Sequence, residues 1–220
     1  MAVLTRRLAT IGGARGFTML EIITILAVIA IMAAVLTPMV LNYVEDAKRA
    51  KAEADLKALA GVILNLTRDV QHFPIYFNGK KTTGDPEIEI LRGPGNEPDD
   101  STATPWGHKG SDAKIGELEN HLVKNNPAGT ASGTPATPYS TSGRFFWKGP
   151  YLEKISEDSW GNRYLVNIKN GNPNDGTLTA PKRVIWVLSA GPNGKIETDP
   201  NALADSGPAP GGDDLAIRIR

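Results

Sequence analysis

The sequence predicts an α+β protein: a long N-terminal helix, transmembrane and then amphipathic, packed against a small antiparallel sheet, with a long loop-rich insertion between them. Three observations predict it. Ile22 to Leu41 is a run of twenty residues without a charge, and at about 1.5 Å per residue such a helix spans roughly 30 Å, the thickness of a bilayer's hydrocarbon core. Behind it Ala52, Leu56, Leu59, Ile63, Leu66 and Val70 recur at alternating spacings of four and three, the stripe of an amphipathic helix. The last third of the chain then holds three stretches of strand composition divided by Asn, Gly and Pro.

The segment 1–16 carries Arg6, Arg7 and Arg15 and no acid. In a secretory signal the apolar region precedes the cleavage site and is lost with it. Here the order is inverted: Gly16-Phe17 offers a small-residue processing point ahead of the apolar run, so cleavage there leaves the helix in the mature protein. It would also create an α-amino group on Phe17, largely protonated at a pKa of about 7.7 to 8.0. Glu21 would be its nearest countercharge, four residues on and one helical turn away, where the macrodipole also favours a carboxylate. In a bundle of such helices the same carboxylate could meet a neighbour's amine, because buried charges are costly unless paired. The plainer reading of Glu21 is a solvated charge at the membrane surface.

The long helix is assigned to 17–76, transmembrane over 22–41 and amphipathic over 44–71. No glycine interrupts Phe17 to Ala60, and the one proline there is Pro38. Pro38 has no N–H and leaves the Ala34 carbonyl without its helical donor, so a kink or local melting is expected. The helix should stop near His72-Phe73-Pro74, since proline disfavours helix in the residue before it. Its stripe should pack on the chain's own head.

The insertion is placed at 77–146. Asp85 to Trp106 and Asn126 to Gly143 read as loops, the latter an exposed one with Tyr139 its only large apolar residue. Ser111 to Lys124 reads as a short helix capped by Ser111 or Asp112, with Ile115, Leu118, Leu122 and Val123 as its apolar face. The head follows at 147–220. Arg163 to Lys169 and Lys182 to Leu188 make an antiparallel pair; Leu215, Ile217 and Ile219 alternate with polar or small residues as a third, half-buried strand. Trp160 and Trp186 belong in its core.

Composition narrows the function. There are 24 basic and 24 acidic residues; without the three leader arginines acids exceed bases by three, so no basic face for nucleic acid is implied. The absence of cysteine excludes a disulfide framework, a thiolate metal site and a cysteine nucleophile. Gly191-Pro192-Asn193-Gly194-Lys195 fails as a phosphate loop, because Ser189 takes the first glycine's place and Ile196 the hydroxyl's. His72, His108 and His121 lack metal-ligand spacing, and with no catalytic constellation the chain does not read as an enzyme. Asn193 to Asp214 is different: Asn193, Glu197, Asp199, Asp205, Asp213 and Asp214 lie among turn-forming glycines, the oxygen-rich composition that suits calcium. An ordinary acidic surface loop has the same composition.

Gly16-Phe17-Thr18-Met19-Leu20-Glu21, the apolar run behind it and Pro38 resemble the processing and assembly segment of type IV pilins and type II secretion pseudopilins. The resemblance implies cleavage after Gly16 by a prepilin peptidase, N-methylation of Phe17, and an assembly role for Glu21 and for the helix around Pro38, which loosens in the assembled filament. It also implies a cytoplasmic leader, a single pass through the inner membrane and a periplasmic head. Trp147-Lys148-Gly149-Pro150-Tyr151-Leu152, Asp158-Ser159-Trp160-Gly161-Asn162-Arg163-Tyr164 and Leu188-Ser189-Ala190-Gly191-Pro192-Asn193-Gly194 are similar to the head of the major pseudopilin. Together the likeness covers about Gly12 to Tyr76 and Trp147 to Leu215 and leaves Phe77 to Phe146 uncovered.

That second likeness implies calcium held by Asn193, Asp213 and Asp214, with Glu197 and Asp199 as further candidates; Asn193 stands where the family has aspartate, which removes a charge from the site. The function implied is a subunit polymerised into a periplasmic pseudopilus. Its partners would be further copies of itself, minor pseudopilins, an inner-membrane assembly platform with its ATPase, and the lipid bilayer. A type IV pilin of a surface fibre, working in adhesion or motility, is the first alternative, although many such pilins close their C-terminal region with a disulfide that this chain cannot make. A membrane-tethered calcium-binding module that does not polymerise is the second.

Overall fold

A computed structural model describes residues 16–77, 88–100, 106–109, 114–129, 138–169, 184–200 and 209–219. The leader before Gly16, the Ser111 and Asp112 caps, Asp205 and the turn between Asn170 and Pro181 lie outside the described residues. The chain divides into two units, Met1–Glu45 and Asp46–Arg220.

Helix α1 runs Met19–Val70, one helix of 52 residues. From Ile22 to Leu41 it is uncharged and exposed, and it alone among the described elements is long and apolar enough to cross a membrane. Thr18 starts it: its hydroxyl accepts from the Glu21 amide at 3.2 Å and its carbonyl from the Ile22 amide, supplying partners for two of the first-turn donors. Inside the apolar stretch Thr24 donates to the carbonyls of Leu20 and Glu21, and Thr37 to that of Ala33. Neither hydroxyl therefore needs water, which hydrocarbon would not provide. The helix is continuous through Pro38, so of the kink or local melting expected there the melting is not found. Losing the one bond from the Pro38 position costs the helix little continuity when the flanking turns stay bonded.

The second unit begins with the amphipathic half of α1. Ala52, Leu56, Leu59, Ile63 and Leu66 are buried as the spacing predicts, joined by Ala60 and Asp69. The helix ends at Val70, within two residues of the expected stop. Gln71 is left-handed (φ 64°), and its side-chain amide donates to the Arg68 carbonyl at 2.6 Å, capping a free helix-end acceptor.

The sheet is mixed and five-stranded rather than three-stranded and antiparallel. Its strands are β1 (Ile90–Arg92), β3 (Ile115–Glu117), β4 (Leu165–Asn167), β5 (Trp186–Ser189) and β7 (Leu215–Arg218), in the order β3-β1-β4-β5-β7. The expected antiparallel set is there: Val166 faces Val187 across β4 and β5, and Val187 faces Ile217 across β5 and β7. The addition comes from the stretch read as insertion. β1 pairs antiparallel with β4, and β3 lies parallel to β1 with Leu91 opposite Gly116. A Cβ on Gly116 would stand 2.8 Å from Leu91 Cδ2, so a larger residue there would push the Leu91 side chain aside. The helix expected over 111–124 is correspondingly short: α2 covers only Leu118–Leu122.

Two cores cover the two faces of this sheet. On one, the α1 stripe packs with Leu91, Val166, Val187 and Ile185, together with α2 residues Leu118 and Leu122. On the other, Ile90, Leu165, Trp186 and Leu188 pack with Trp106 and Ile196. Trp186 is buried as expected, whereas Trp160 is only half-buried. A small second sheet, β2 (Asp99–Asp100) parallel to β6 (Lys195–Ile196), lies in the segments that cover this second face. Tyr139, read from sequence as part of an exposed loop, is 1% exposed, with its hydroxyl 2.6 Å from His121 Nδ1.

Candidate functional site

Two regions answer to the residues singled out in the sequence. The first is the N-terminal edge of α1. Gly16, Phe17 and Thr18 precede the helix, and among the described residues nothing approaches within 4 Å of a Cβ built on Gly16. Phe17 is 73% exposed. In the uncleaved chain it is not helical, so the four-residue separation from Glu21 is not a helical turn; the pairing geometry read from spacing would form only once α1 extends to a new N-terminus. Glu21 is exposed in the first turn and is the acid nearest the apolar run. Thr18 is the functional residue that sequence reading missed here. The signal was present as Thr18-x-x-Glu21, a capping-box pattern.

The second region is the acidic loop. β6 and the approach to β7 bring Asn193, Glu197, Asp213 and Asp214 together. Asp213 Oδ2 accepts from the Asn193 amide at 3.2 Å, and Asn193 Oδ1 accepts from the Lys195 amide at 2.6 Å. Asn193 Nδ2 donates to Glu197 Oε2 at 3.5 Å. Asp214 Oδ2 takes three donors, the amides of Glu197 and Thr198 and the Thr198 hydroxyl, at 2.8, 2.7 and 2.7 Å. The Thr198 hydroxyl in turn accepts from the Gly211 amide. Thr198 is thus the hub of the loop, and as a hydroxyl set among acids it gave no metal-ligand signal. Asp199 is exposed.

Glycine makes this crowding possible. A Cβ on Gly191 would fall 2.4 Å from the Asp213 carbonyl oxygen, and one on Gly211 would fall 2.3 Å from that of Glu197. The loop is fixed from behind by Trp106 Nε1, which donates to the Thr198 carbonyl at 2.7 Å, and by Asn162 Nδ2, which donates to the Gly191 carbonyl. Asp158 holds that second support: it accepts from the Trp160 and Asn162 amides and from the Ser189 hydroxyl, the last at 2.6 Å.

The electrostatics leave two oxygens open. Asp213 Oδ1 and Asp214 Oδ1 are buried without a hydrogen-bond partner. Burial pushes the Asp214 carboxyl above the usual carboxylate range, against the lowering effect of its bonds from Thr198 and the backbone. Two buried carboxylate oxygens without a partner are the kind of group that a hard cation would satisfy, supplying the charge that burial withholds. Among the described residues no group of three or more His, Cys, Asp or Glu gathers as a metal site, so amide and backbone oxygens would have to complete the shell. No protein-family model, curated protein or solved structure matches this chain.

Proposed function

We propose that this chain is a structural subunit held in the inner membrane by α1, cut after Gly16 by a prepilin peptidase, N-methylated at Phe17 and polymerised into a periplasmic pseudopilus of a type II secretion system. One observation carries the reading. Every large apolar side chain from Phe17 to Val44 is exposed, covered by nothing among the described residues. So much contiguous apolar surface must be taken up by lipid or by other helices. The Gly16-Phe17 step ahead of the apolar run and the lone carboxylate at the start of the helix favour both fates in turn, storage in lipid and then burial against copies of itself. Moving such a helix out of a bilayer calls for an inner-membrane platform driven by a cytoplasmic ATPase, and minor pseudopilins would join the polymer.

The test is electron microscopy of cells expressing the full chain with its assembly machinery. Short periplasmic filaments are expected, and Glu21→Val should abolish them while leaving membrane insertion intact. Long surface fibres would favour the pilin alternative, and abundant filaments from the Glu21→Val chain would refute the charge-register role.

A second reading attaches to the acidic loop and rests on the unpartnered Asp213 Oδ1 and Asp214 Oδ1. Asp213, Asp214 and Asn193 would hold calcium with backbone carbonyls, and Glu197 is the further acid in reach of the turn. The ion would brace the loop, a structural role.

A further inference from the structure

An asparagine followed by glycine loses its side-chain amide more readily than other asparagines, because the backbone nitrogen that attacks it belongs to a residue with no side chain in the way. Among the described residues Asn193-Gly194 is the one such step. It lies in the turn between β5 and β6, with Asn193 exposed and Gly194 half-buried at φ 66°. A Cβ built on Gly194 would meet nothing among the described residues nearer than the Asn162 side chain at 3.7 Å, so the turn is not packed against its neighbours there.

The bonds around the Asn193 amide suit the reaction. Its Oδ1 faces the Lys195 N–H at 2.6 Å and its Nδ2 faces the Glu197 carboxylate, which fixes the amide's orientation chemically. The Lys195 bond closes an Asx turn that folds the side chain back over the Gly194 peptide. Attack on Cγ drives negative charge onto Oδ1, and a donor already aimed at a developing oxyanion lowers the barrier to forming it. The groups that must be released are loosely held: Nδ2 stands 3.5 Å from Glu197 Oε2, and the Gly194 N–H donates to the Gly191 carbonyl at 3.3 Å.

We propose that Asn193 is a self-modification site, at which an amide of the acidic loop becomes a carboxylate. The Gly194 nitrogen gives its proton to solvent and bonds to Asn193 Cγ; the Cγ–Nδ2 bond breaks, and Nδ2 takes up a proton and leaves as ammonia. Water then opens the cyclic imide at either carbonyl, breaking one C–N bond and leaving aspartate or isoaspartate. No electrons are exchanged, and water is the one co-reactant. The new carboxylate replaces a donor to Glu197 and lies next to Asp213, whose Oδ2 accepts from the Asn193 amide N–H at 3.2 Å. Like charges then stand where a hydrogen bond stood, which loosens the loop as the protein ages. The inference depends on neither polymerisation nor a bound ion.

Trypsin releases the peptide Val184–Lys195, in which Asn193 is the one asparagine. The full chain in detergent is kept in mildly alkaline, isotopically labelled water with a calcium chelator, and the peptide is followed by mass spectrometry. It should gain the mass of an amide-to-acid exchange with its new oxygen drawn from the solvent, and isoaspartate should appear in it by enzymatic methyl labelling. Conversion should run at least about tenfold faster than at Asn96, Asn162 and Asn167, none of which precedes glycine, a barrier lower by about 1.4 kcal/mol. Asn193→Ser, whose hydroxyl can still accept from the Lys195 amide, should abolish the mass change. Asn193→Asp should lower the melting temperature at pH 7 in chelator. Conversion at Asn193 no faster than at those three asparagines, or seen only once the chain is unfolded in urea, overturns the proposal; an Asn193→Asp chain that melts with its parent overturns the loosening.

Discussion

Lys148 Nζ stands 2.9 Å from Asp69 Oδ1, joining the last turn of α1 to the segment that leads to the Gly149-Pro150 step. Tyr151 completes the contact by donating its hydroxyl to Asp69 Oδ2 at 3.0 Å. Asp69 is 7% exposed, and a carboxylate so buried is tolerated because both oxygens are bonded.

The Lys148 hydrogen bond is the largest of the influences that hold the Asp69 carboxyl below its ordinary pKa, and Tyr151 adds to it. A carboxyl whose pKa is lowered by folding contributes stability that is complete above its unfolded value, about 3.9, and is lost as pH falls through the folded one. Asp69→Ala should cost on the order of 1 to 3 kcal/mol at neutral pH, since it strands the Tyr151 hydroxyl and the Lys148 ammonium. Lys148→Met should cost about 1 kcal/mol or less, because that ammonium is half in water. Denaturant unfolding of the full chain in detergent, following the head's tryptophans, measures both; equal losses would contradict the asymmetry of burial.

His121 gives the mildly acid range, above that of Asp69, its own signature. It is fully buried against Tyr139, and desolvation, with His72 as a smaller influence, pushes its pKa down to about 3. The unfolded chain binds a proton near the usual 6.5 and the folded one does not, so stability is complete above that value and falls with pH below it. The slope approaches 1.4 kcal/mol per pH unit for one proton. Unfolding midpoints at pH 7, 5 and 4 should fall accordingly, and His121→Gln, which keeps an acceptor for the Tyr139 hydroxyl, should flatten the profile between 6.5 and 4. An unchanged slope in that variant would assign the acid lability elsewhere.

What the sequence carried well was whatever repeats. The α1 stripe, its stop before Pro74 and the β4–β5–β7 set are written in periodicity or in runs of β-branched residues, and each is found. β1 and β3 are three residues each, too short to show a period of two, and Ile115 next to Leu118 and Leu122 also fits a helix face. Strand pairing at long range overrode that local preference. Tyr139 and Trp106 were unreadable for a similar reason: each is a single aromatic in polar surroundings, buried by partners far along the chain. At the acidic loop composition marked the acids, but the Thr198 hub depends on three-dimensional approach.

The processing reading makes a direct prediction about mass. On that reading, which rests on the likeness of the Gly16–Glu21 segment to prepilins, the mature protein should begin at Phe17 and carry one added methyl group. Intact-mass and N-terminal peptide analysis of membranes from cells with the peptidase should find this species. Gly16→Leu should block it and leave a chain that retains Arg6, Arg7 and Arg15. An assembled filament made of chains that still begin at Met1 would refute the cleavage.

The loop is tested by pairing pH with calcium. Burial raises the Asp214 pKa, so without a cation its contribution is fully present below the unfolded value and is lost as pH rises through the folded one. A calcium ion at Asp213 and Asp214 would reverse this by favouring the ionised carboxylates, and would add RT ln(1 + [Ca]/Kd) to stability, about 2.7 kcal/mol at a hundredfold excess over Kd. Calcium should therefore raise the melting temperature of the full chain at pH 7 and have little effect near pH 4, with a chelator reversing the gain. Asp213→Asn should remove most of the response, whereas Asp199→Asn, at an exposed position, should leave most of it. A melting curve identical with calcium and with chelator at pH 7 would mean that the Asp214 hydrogen bonds hold the loop unaided.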